Sequence, residues 1–164
     1  MPEFSYHQAT PKELVTAFEK DIAEHPGDDY YITLRDQYAE LNRLGKAVTF
    51  VVTANNEPIG RGTLFLSPDC PQIGGKLTIA DNISVANIND LHIHRDYRGE
   101  GHISALVRRM EAHARKLRLH ALTIGADASK PKNLSIYLHW GYTNYVAYSI
   151  ENGIPVLYYK KQLD

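Results

Sequence analysis

The residues with the most to say about chemistry lie in one run, Leu91-His92-Ile93-His94-Arg95-Asp96-Tyr97-Arg98-Gly99-Glu100-Gly101-His102-Ile103-Ser104-Ala105-Leu106. A strand-like start gives way to a turn with two glycines, and a helix-periodic stretch follows. Such a turn aims successive backbone N–H groups outward at a helix start, where they lack partners inside the helix. The helix dipole adds partial positive charge at the same place. The product is an anion site suited to a pyrophosphate. Gly99 and Gly101 put no side chain in the way, and Arg98 brings a formal positive charge. Glycines before a helix also make plain turns, so spacing alone leaves both readings open. The residues present exclude the three-glycine dinucleotide fingerprint and the Gly-Lys-Ser/Thr phosphate loop.

Three ionisable residues alternate just before this turn. Asp90, His92 and His94 share one face of a strand with period two. A histidine titrates near pH ~6.5, where it can accept a proton and release it again. His92 is the first choice for a general base, with a water relay as the alternative. His92 and His94 also form a His-x-His pair. No third ligand is evident, so no metal is expected.

Tyr97-Arg98-Gly99-Glu100-Gly101, following Leu91-x-Ile93, resembles motif A of the GNAT superfamily of N-acetyltransferases, written (Q/R)-x-x-G-x-(G/A). Arg98 and Gly101 match the first and fourth positions. The sixth is Ile103, which departs from Gly or Ala and keeps its amide. The resemblance implies that Arg98, Gly99, Glu100, Gly101, His102 and Ile103 bind the pyrophosphate of acetyl-CoA. It also implies that His92, Ile93 and His94 pair through their backbone with the pantetheine arm. Downstream, Tyr137-Leu138-His139-Trp140-Gly141-Tyr142 resembles the ending of motif B, usually Tyr-x-x-x-Gly-Phe or Gly-Tyr. That match implies a place for Tyr137 near the CoA sulfur, as general acid. The asparagine usual seven residues earlier is Lys130 here, and Asn133 stands where alanine is more common. Asn133 and Tyr137 are included among the cofactor contacts.

The resemblance covers roughly Ile59 to Lys161. It implies an α/β fold of a single GNAT-like domain, residues 1–164, with a central mixed, largely antiparallel sheet flanked by helices. It implies transfer of an acetyl group from acetyl-CoA to a primary amine by direct attack and a tetrahedral intermediate. The amine must be neutral to attack, and a free alkylamine has a pKa of roughly 10, so a proton must leave first. The oxyanion needs donors, most simply backbone N–H groups of the central strand. The departing thiolate takes a proton from Tyr137. The acceptor is a small-molecule or peptide amine. Two other readings are a non-catalytic acyl-CoA sensor and a protein acetyltransferase acting on a lysine or N-terminus. Tyr30, Tyr31 and Tyr38 with Asp28 and Asp29 suggest either an aromatic, acidic mouth for a cationic amine or plain helix packing.

These groups need elements to hold them. A first strand spans Glu3 to Gln8. Thr10 reads as an N-cap, with Pro11 at the first helical position and Glu13 completing a capping box. Leu14, Val15, Phe18 and Ile22 share a face, and His25-Pro26-Gly27 stops the helix. A second helix runs from about Asp29 to Leu44 on a stripe of Tyr31, Leu34, Tyr38 and Leu41. Ala47–Ala54 and Ile59–Leu66 form a hairpin about Asn55-Asn56-Glu57-Pro58. Ser67 to Asn87 reads as loop, with a short strand at Lys76 to Ala80. Ile88 to His94 is a strand, and Gly101 to Leu119 is an amphipathic helix that buries Ile103, Leu106, Val107, Met110, Ala114 and Leu117. Ala121 to Ala126 is the next strand, in a parallel crossover. Lys130 to Trp140 is helical. Asn144–Ile150 and Pro155–Lys161 close the chain as a hairpin whose Val156, Tyr158 and Tyr159 can complete the sheet or pair with a second copy. A homodimer is therefore a candidate assembly.

Bulk properties bound the rest. The chain has 164 residues, 43% of them hydrophobic and a formal net charge of −1, so one apolar core is affordable without a global field for nucleic acid or anionic membranes. Arg108, Arg109, Arg115, Lys116 and Arg118 read as the solvated face of the long helix. Cys70 is alone, so no disulfide forms within the chain. No signal-like or membrane-length apolar run appears, and a cytoplasmic location is the expectation.

Overall fold

The structure is a computed structural model and describes residues 1–164. In chain order the elements are β1 (Phe4–Gln8), α1 (Pro11–Glu24), α2 (Tyr30–Arg43), β2 (Ala47–Ala54), β3 (Glu57–Phe65), β4 (Val85–Ile93), α3 (His102–Lys116), β5 (Ala121–Asp127), α4 (Pro131–His139), β6 (Asn144–Glu151) and β7 (Ile154–Gln162). The seven strands hydrogen-bond in the order β1-β2-β3-β4-β5-β7-β6, a mixed α/β arrangement. β4 and β5 are parallel, joined through α3, while β1/β2, β5/β7 and β6/β7 are antiparallel. Two compact units divide the chain. One is Met1–Leu64 with Asp90–Met110, and the other is Phe65–Asn89 with Glu111–Asp164.

In the first unit, α1 begins as its sequence dictates. The Thr10 side chain accepts the Glu13 N–H at 3.1 Å, and the Glu13 carboxylate accepts the Thr10 N–H at 3.0 Å. Leu14 and Phe18 are buried, whereas Val15 lies at the margin. Asp21 is buried beside them. Tyr38 of α2 packs edge-on against Phe18, with ring centroids 5.5 Å apart. β2 is buried at every position, which suits its β-branched run. The Asn42 side chain ties α2 to β2: its carbonyl accepts the Thr49 N–H at 2.9 Å and its amide donates to Thr49 Oγ1 at 3.0 Å. The β2–β3 turn is tighter than the sequence suggested. Only Asn55 and Asn56 form it, at φ 49° and 70°, the left-handed pair that matches the twist of a hairpin. Glu57 and Pro58 belong to β3.

In the second unit, β7 lies between β5 and β6, so the terminal hairpin completes the sheet and β6 is the edge. Tyr158 packs over Gly125, where an added Cβ would sit 2.9 Å from its ring. Lys76–Ala80, expected as a strand, is a turn stitched by Ile79 N–H and Ala80 N–H to Lys76 O at 3.0 and 3.3 Å. β4 starts three residues earlier than expected, because Asp81 gathers the chain there. Its Oδ1 accepts the N–H groups of Ile83, Ser84 and Val85 at 2.7–2.9 Å, and its Oδ2 accepts the Ser84 hydroxyl at 2.6 Å. α3 ends at Lys116 rather than Leu119. Arg118 turns left-handed at φ 62°, and Leu117 is exposed rather than buried. No helix of the structure is long and apolar enough to cross a membrane.

Candidate active site

The first unit builds a buried charge cluster around a Gly-Arg-Gly step in β3. A Cβ on Gly60 would lie 2.6 Å from Ile93 Cδ1 and 2.9 Å from His92 O, and one on Gly62 would lie 2.8 Å from Leu91 Cδ2 and 3.1 Å from Met110 Sδ. Both glycines are therefore needed for β4 and α3 to close on that face. Arg61 points the other way, toward α1, and is 3% exposed. Its Nη1 donates to Asp21 Oδ2 at 2.6 Å and to Ala17 O at 3.2 Å; its Nε donates to Asp90 Oδ2 at 2.6 Å. The guanidinium also lies 4.0 Å from the Phe18 ring centroid. Desolvation alone would lower the Arg61 pKa, but the two carboxylates outweigh it and hold the guanidinium charged.

Asp90, His92 and His94 do share the α1-facing side. Asp90 takes a left-handed φ of 52° within β4, and its carboxylate accepts from Arg61. Locked in that pair, Asp90 is not a free base. His92 Nε2 lies 3.5 Å from Asp21 Oδ1, and His94 Nε2 lies 3.8 Å from Glu24 Oε1, one helical turn on. Burial, then the Arg61 charge, push the His92 imidazole below its ordinary pKa, while Asp21 and Asp90 pull it back in part. His92 is therefore neutral at pH 7 and able to accept a proton. His94 is engaged locally: its Nδ1 accepts the Asp96 N–H at 3.4 Å, and its backbone N–H donates to Ile59 O at 2.7 Å.

Beyond β4 the chain makes one 3₁₀ turn, Arg95–Tyr97, and then the glycine turn. Gly99 and Gly101 have φ of 79° and 83°, and an added Cβ at either would meet nothing within 4 Å. Both positions favour glycine for conformation, and both leave open space. The first amide to join the helical ladder is Ala105, which donates to Gly101 O at 3.1 Å. The amides of His102, Ile103 and Ser104 precede it, as at any helix start. Arg98 is exposed, with Nε donating to Ile93 O at 3.1 Å at the end of β4. The His102 side chain turns inward. It is 4% exposed, with Nδ1 2.8 Å from the Tyr6 hydroxyl and Nε2 3.2 Å from Glu100 Oε1. Ile103 is half-buried.

Tyr137 and Asn133 belong to α4, in the second unit. Tyr137 is half-buried against Trp140, with ring centroids 5.7 Å apart, and burial raises its phenol pKa. It is fully protonated at neutral pH and can donate. The Asn133 N–H donates to Lys130 O at 3.0 Å, which leaves its side chain in the first turn of the helix. Gly141 ends α4 at φ 100° and sends Tyr142 into the core. There the Tyr142 hydroxyl donates to Glu111 Oε2 at 2.8 Å, and Lys161 Nζ reaches the same oxygen at 2.9 Å.

Residues 12–142 match the model of the acetyltransferase (GNAT) family. The chain belongs to the GNAT family. It is accordingly an acyltransferase. No curated protein matches it by sequence. Solved GNAT structures share the fold at low identity. An acetyltransferase from Salmonella typhimurium, yncA, solved with its cofactor acetyl-CoA, superposes with a TM-score of 0.69 at 15% identity, over 98% of this chain and 94% of that one. A variant of SpeG spermidine N-acetyltransferase from Vibrio cholerae gives 0.70 at 15% identity, over 98% and 95%. A ribosomal-protein alanine N-acetyltransferase from Escherichia coli gives 0.71 at 14% identity, over 99% and 95%.

In this GNAT chain the sequence pointed to the glycine turn, the β4 histidines and Tyr137, but not to Asp21 or Arg61. Signals for both exist. Asp21 stands three residues after Phe18 and seven after Leu14, inside the apolar stripe of α1, where a carboxylate needs a buried cation. Arg61 stands between two glycines in a strand otherwise built for burial. Of the aromatic, acidic cluster suggested on α2, Tyr38 is core and Asp28 caps the helix by accepting the Tyr30 N–H at 2.9 Å.

Proposed function

We propose that this GNAT protein is an N-acetyltransferase that uses acetyl-CoA and delivers the acetyl group to a primary amine. The observation that carries the reading is the glycine turn at the start of α3. Gly99 and Gly101 hold left-handed backbone with open space where side chains would be, directly before amides that no helical carbonyl accepts. A diphosphate needs such a cradle, so the residues present fit the group. Arg98, Gly99, Glu100, Gly101, His102 and Ile103 would hold the phosphates, the last five through backbone. His92, Ile93 and His94 offer the strand to the pantetheine arm, and Asn133 and Tyr137 stand for the contacts of α4. When bound, acetyl-CoA supplies an acetyl group activated as a thioester.

The chain's own residues then manage protons. His92, held neutral, takes a proton from the ammonium form of the acceptor. Tyr137 keeps its phenolic proton at pH 7 and gives it to the leaving thiolate sulfur. The acceptor is proposed only as a class, a primary amine on a small molecule or a peptide.

Thermal melting with acetyl-CoA tests the cofactor half. At about a hundred times its dissociation constant a ligand stabilises by roughly 2.7 kcal/mol, a rise on the order of 6–10 °C for a chain of this size. No shift defeats the proposal. Release of CoA thiol across a panel of diamines, aminoglycosides and peptides tests the transfer half. A melting shift with no turnover on any of them would instead support a non-catalytic acyl-CoA sensor.

A further inference from the structure

We infer that Asp21 of α1 is a positioning residue for His92: it holds the imidazole with its proton on Nε2, so that Nδ1 carries the lone pair that accepts the proton of the amine. The inference rests on the reading of His92 as base. Its geometry is local to the first unit. Asp21 is 6% exposed, and its two carboxylate oxygens are divided between two partners. Oδ2 receives Arg61 Nη1 at 2.6 Å, which fixes the carboxylate, and Oδ1 faces His92 Nε2 at 3.5 Å. That distance is at the outer edge of hydrogen-bond reach, as catalytic contacts often are before substrate closes them. A carboxylate beside a ring nitrogen selects the tautomer that puts the proton between them.

Around His92 stand two carboxylates, Asp21 from α1 and Asp90 on its own strand, and two guanidiniums, Arg61 from β3 and Arg98 from the following turn. These four charges cancel while His92 is neutral, so the imidazolium depends on the carboxylate that faces its ring, Asp21 Oδ1 at 3.5 Å. In the step, an N–H bond of the ammonium breaks, its electron pair stays on the amine nitrogen, and an Nδ1–H bond forms on His92. His92 later returns the proton to water.

Two measurements test the inference. In wild-type protein at pH 8, ¹⁵N NMR of labelled histidine, with His92 assigned by its loss in His92→Gln, should show the Nε2–H tautomer; an Nδ1–H tautomer overturns the inference, even where Asp21→Asn does not fold. In steady-state kinetics, Asp21→Asn should lower kcat by about 10²-fold with KM for acetyl-CoA nearly unchanged. Because Asp21 pulls His92 upward, its neutralisation should also move the acid limb of the kcat/KM profile to lower pH. An Asp21→Asn enzyme with wild-type kcat and an unmoved limb overturns it. His92→Gln separates the two ideas. If that variant keeps full activity, the base reading and this inference fall together. If it is inactive while Asp21→Asn is not, His92 stands and only the role of Asp21 is lost.

Discussion

The glycine turn at the start of α3 and the charge cluster around Arg61 solve opposite problems with opposite means. On the proposed reading, the turn prepares for a charge that arrives from outside. It does so with contiguous residues, left-handed glycines and backbone amides, and it needs no side chain in the cradle itself. The cluster contains charges the protein already owns. Asp21, Arg61, Asp90 and His92 come from three elements, with Arg61 bound to both carboxylates. An anion cup can be local because the helix start supplies its donors. A buried ion cluster must be tertiary, because each member is tolerable only if the others are present.

That difference sets the scale of what substitution does. Arg61→Met removes the cation from between two carboxylates and should cost about 3–5 kcal/mol, read as a lower urea midpoint with little change in m. A loss under about 1 kcal/mol would mean that the cluster is as dispensable as a surface pair. Asp81→Ala breaks a local device and should cost about 2 kcal/mol, since a carboxylate holding several donors is lost. Burial would raise the Asp81 pKa, but the Ser84 hydroxyl and the three amides bring it down from 3.8 to about 2. Its stabilisation is therefore complete above pH 3.8 and disappears as the pH falls toward about 2, where wild type and variant should converge in chemical denaturation. Thr10→Ala removes one cap bond from α1 and should cost about 1 kcal/mol by the same measurement.

The ranking follows how far apart in the chain the partners lie, and legibility follows the same rule. The Thr10 capping box, the terminal hairpin and the glycine turn are legible because every partner lies within a few residues. The parallel β4–α3–β5 crossover was legible from the change of hydrophobic period. Asp81 is local too, but the stretch from Ser67 to Asn87 has no period to anchor it, so neither Asp81 nor the start of β4 is legible there. Leu117 was assigned to the buried face because helical spacing continues past Lys116, while the left-handed Arg118 that ends the helix is not a glycine. Asp21 and Arg61 were invisible for a different reason. Each looks anomalous alone, and only the pairing of β3 with β4 beneath α1 turns two anomalies into one salt bridge. The Gly60 and Gly62 requirement is likewise a contact, not a turn. Tyr142 was read as the end of a motif, whereas its bond to Glu111 joins α4 to α3 through Lys161 of β7.

The claim at the centre is that backbone geometry at Gly99–Ser104 grips a diphosphate. Calorimetric titration of wild type and Gly101→Val with acetyl-CoA and with S-acetylpantetheine, which lacks the phosphates, tests it most directly. Wild type should prefer acetyl-CoA, and the folded variant should lose about 10- to 100-fold of that preference while binding the short thioester almost as before. An undiminished preference in a variant that melts near the wild-type temperature would contradict the account.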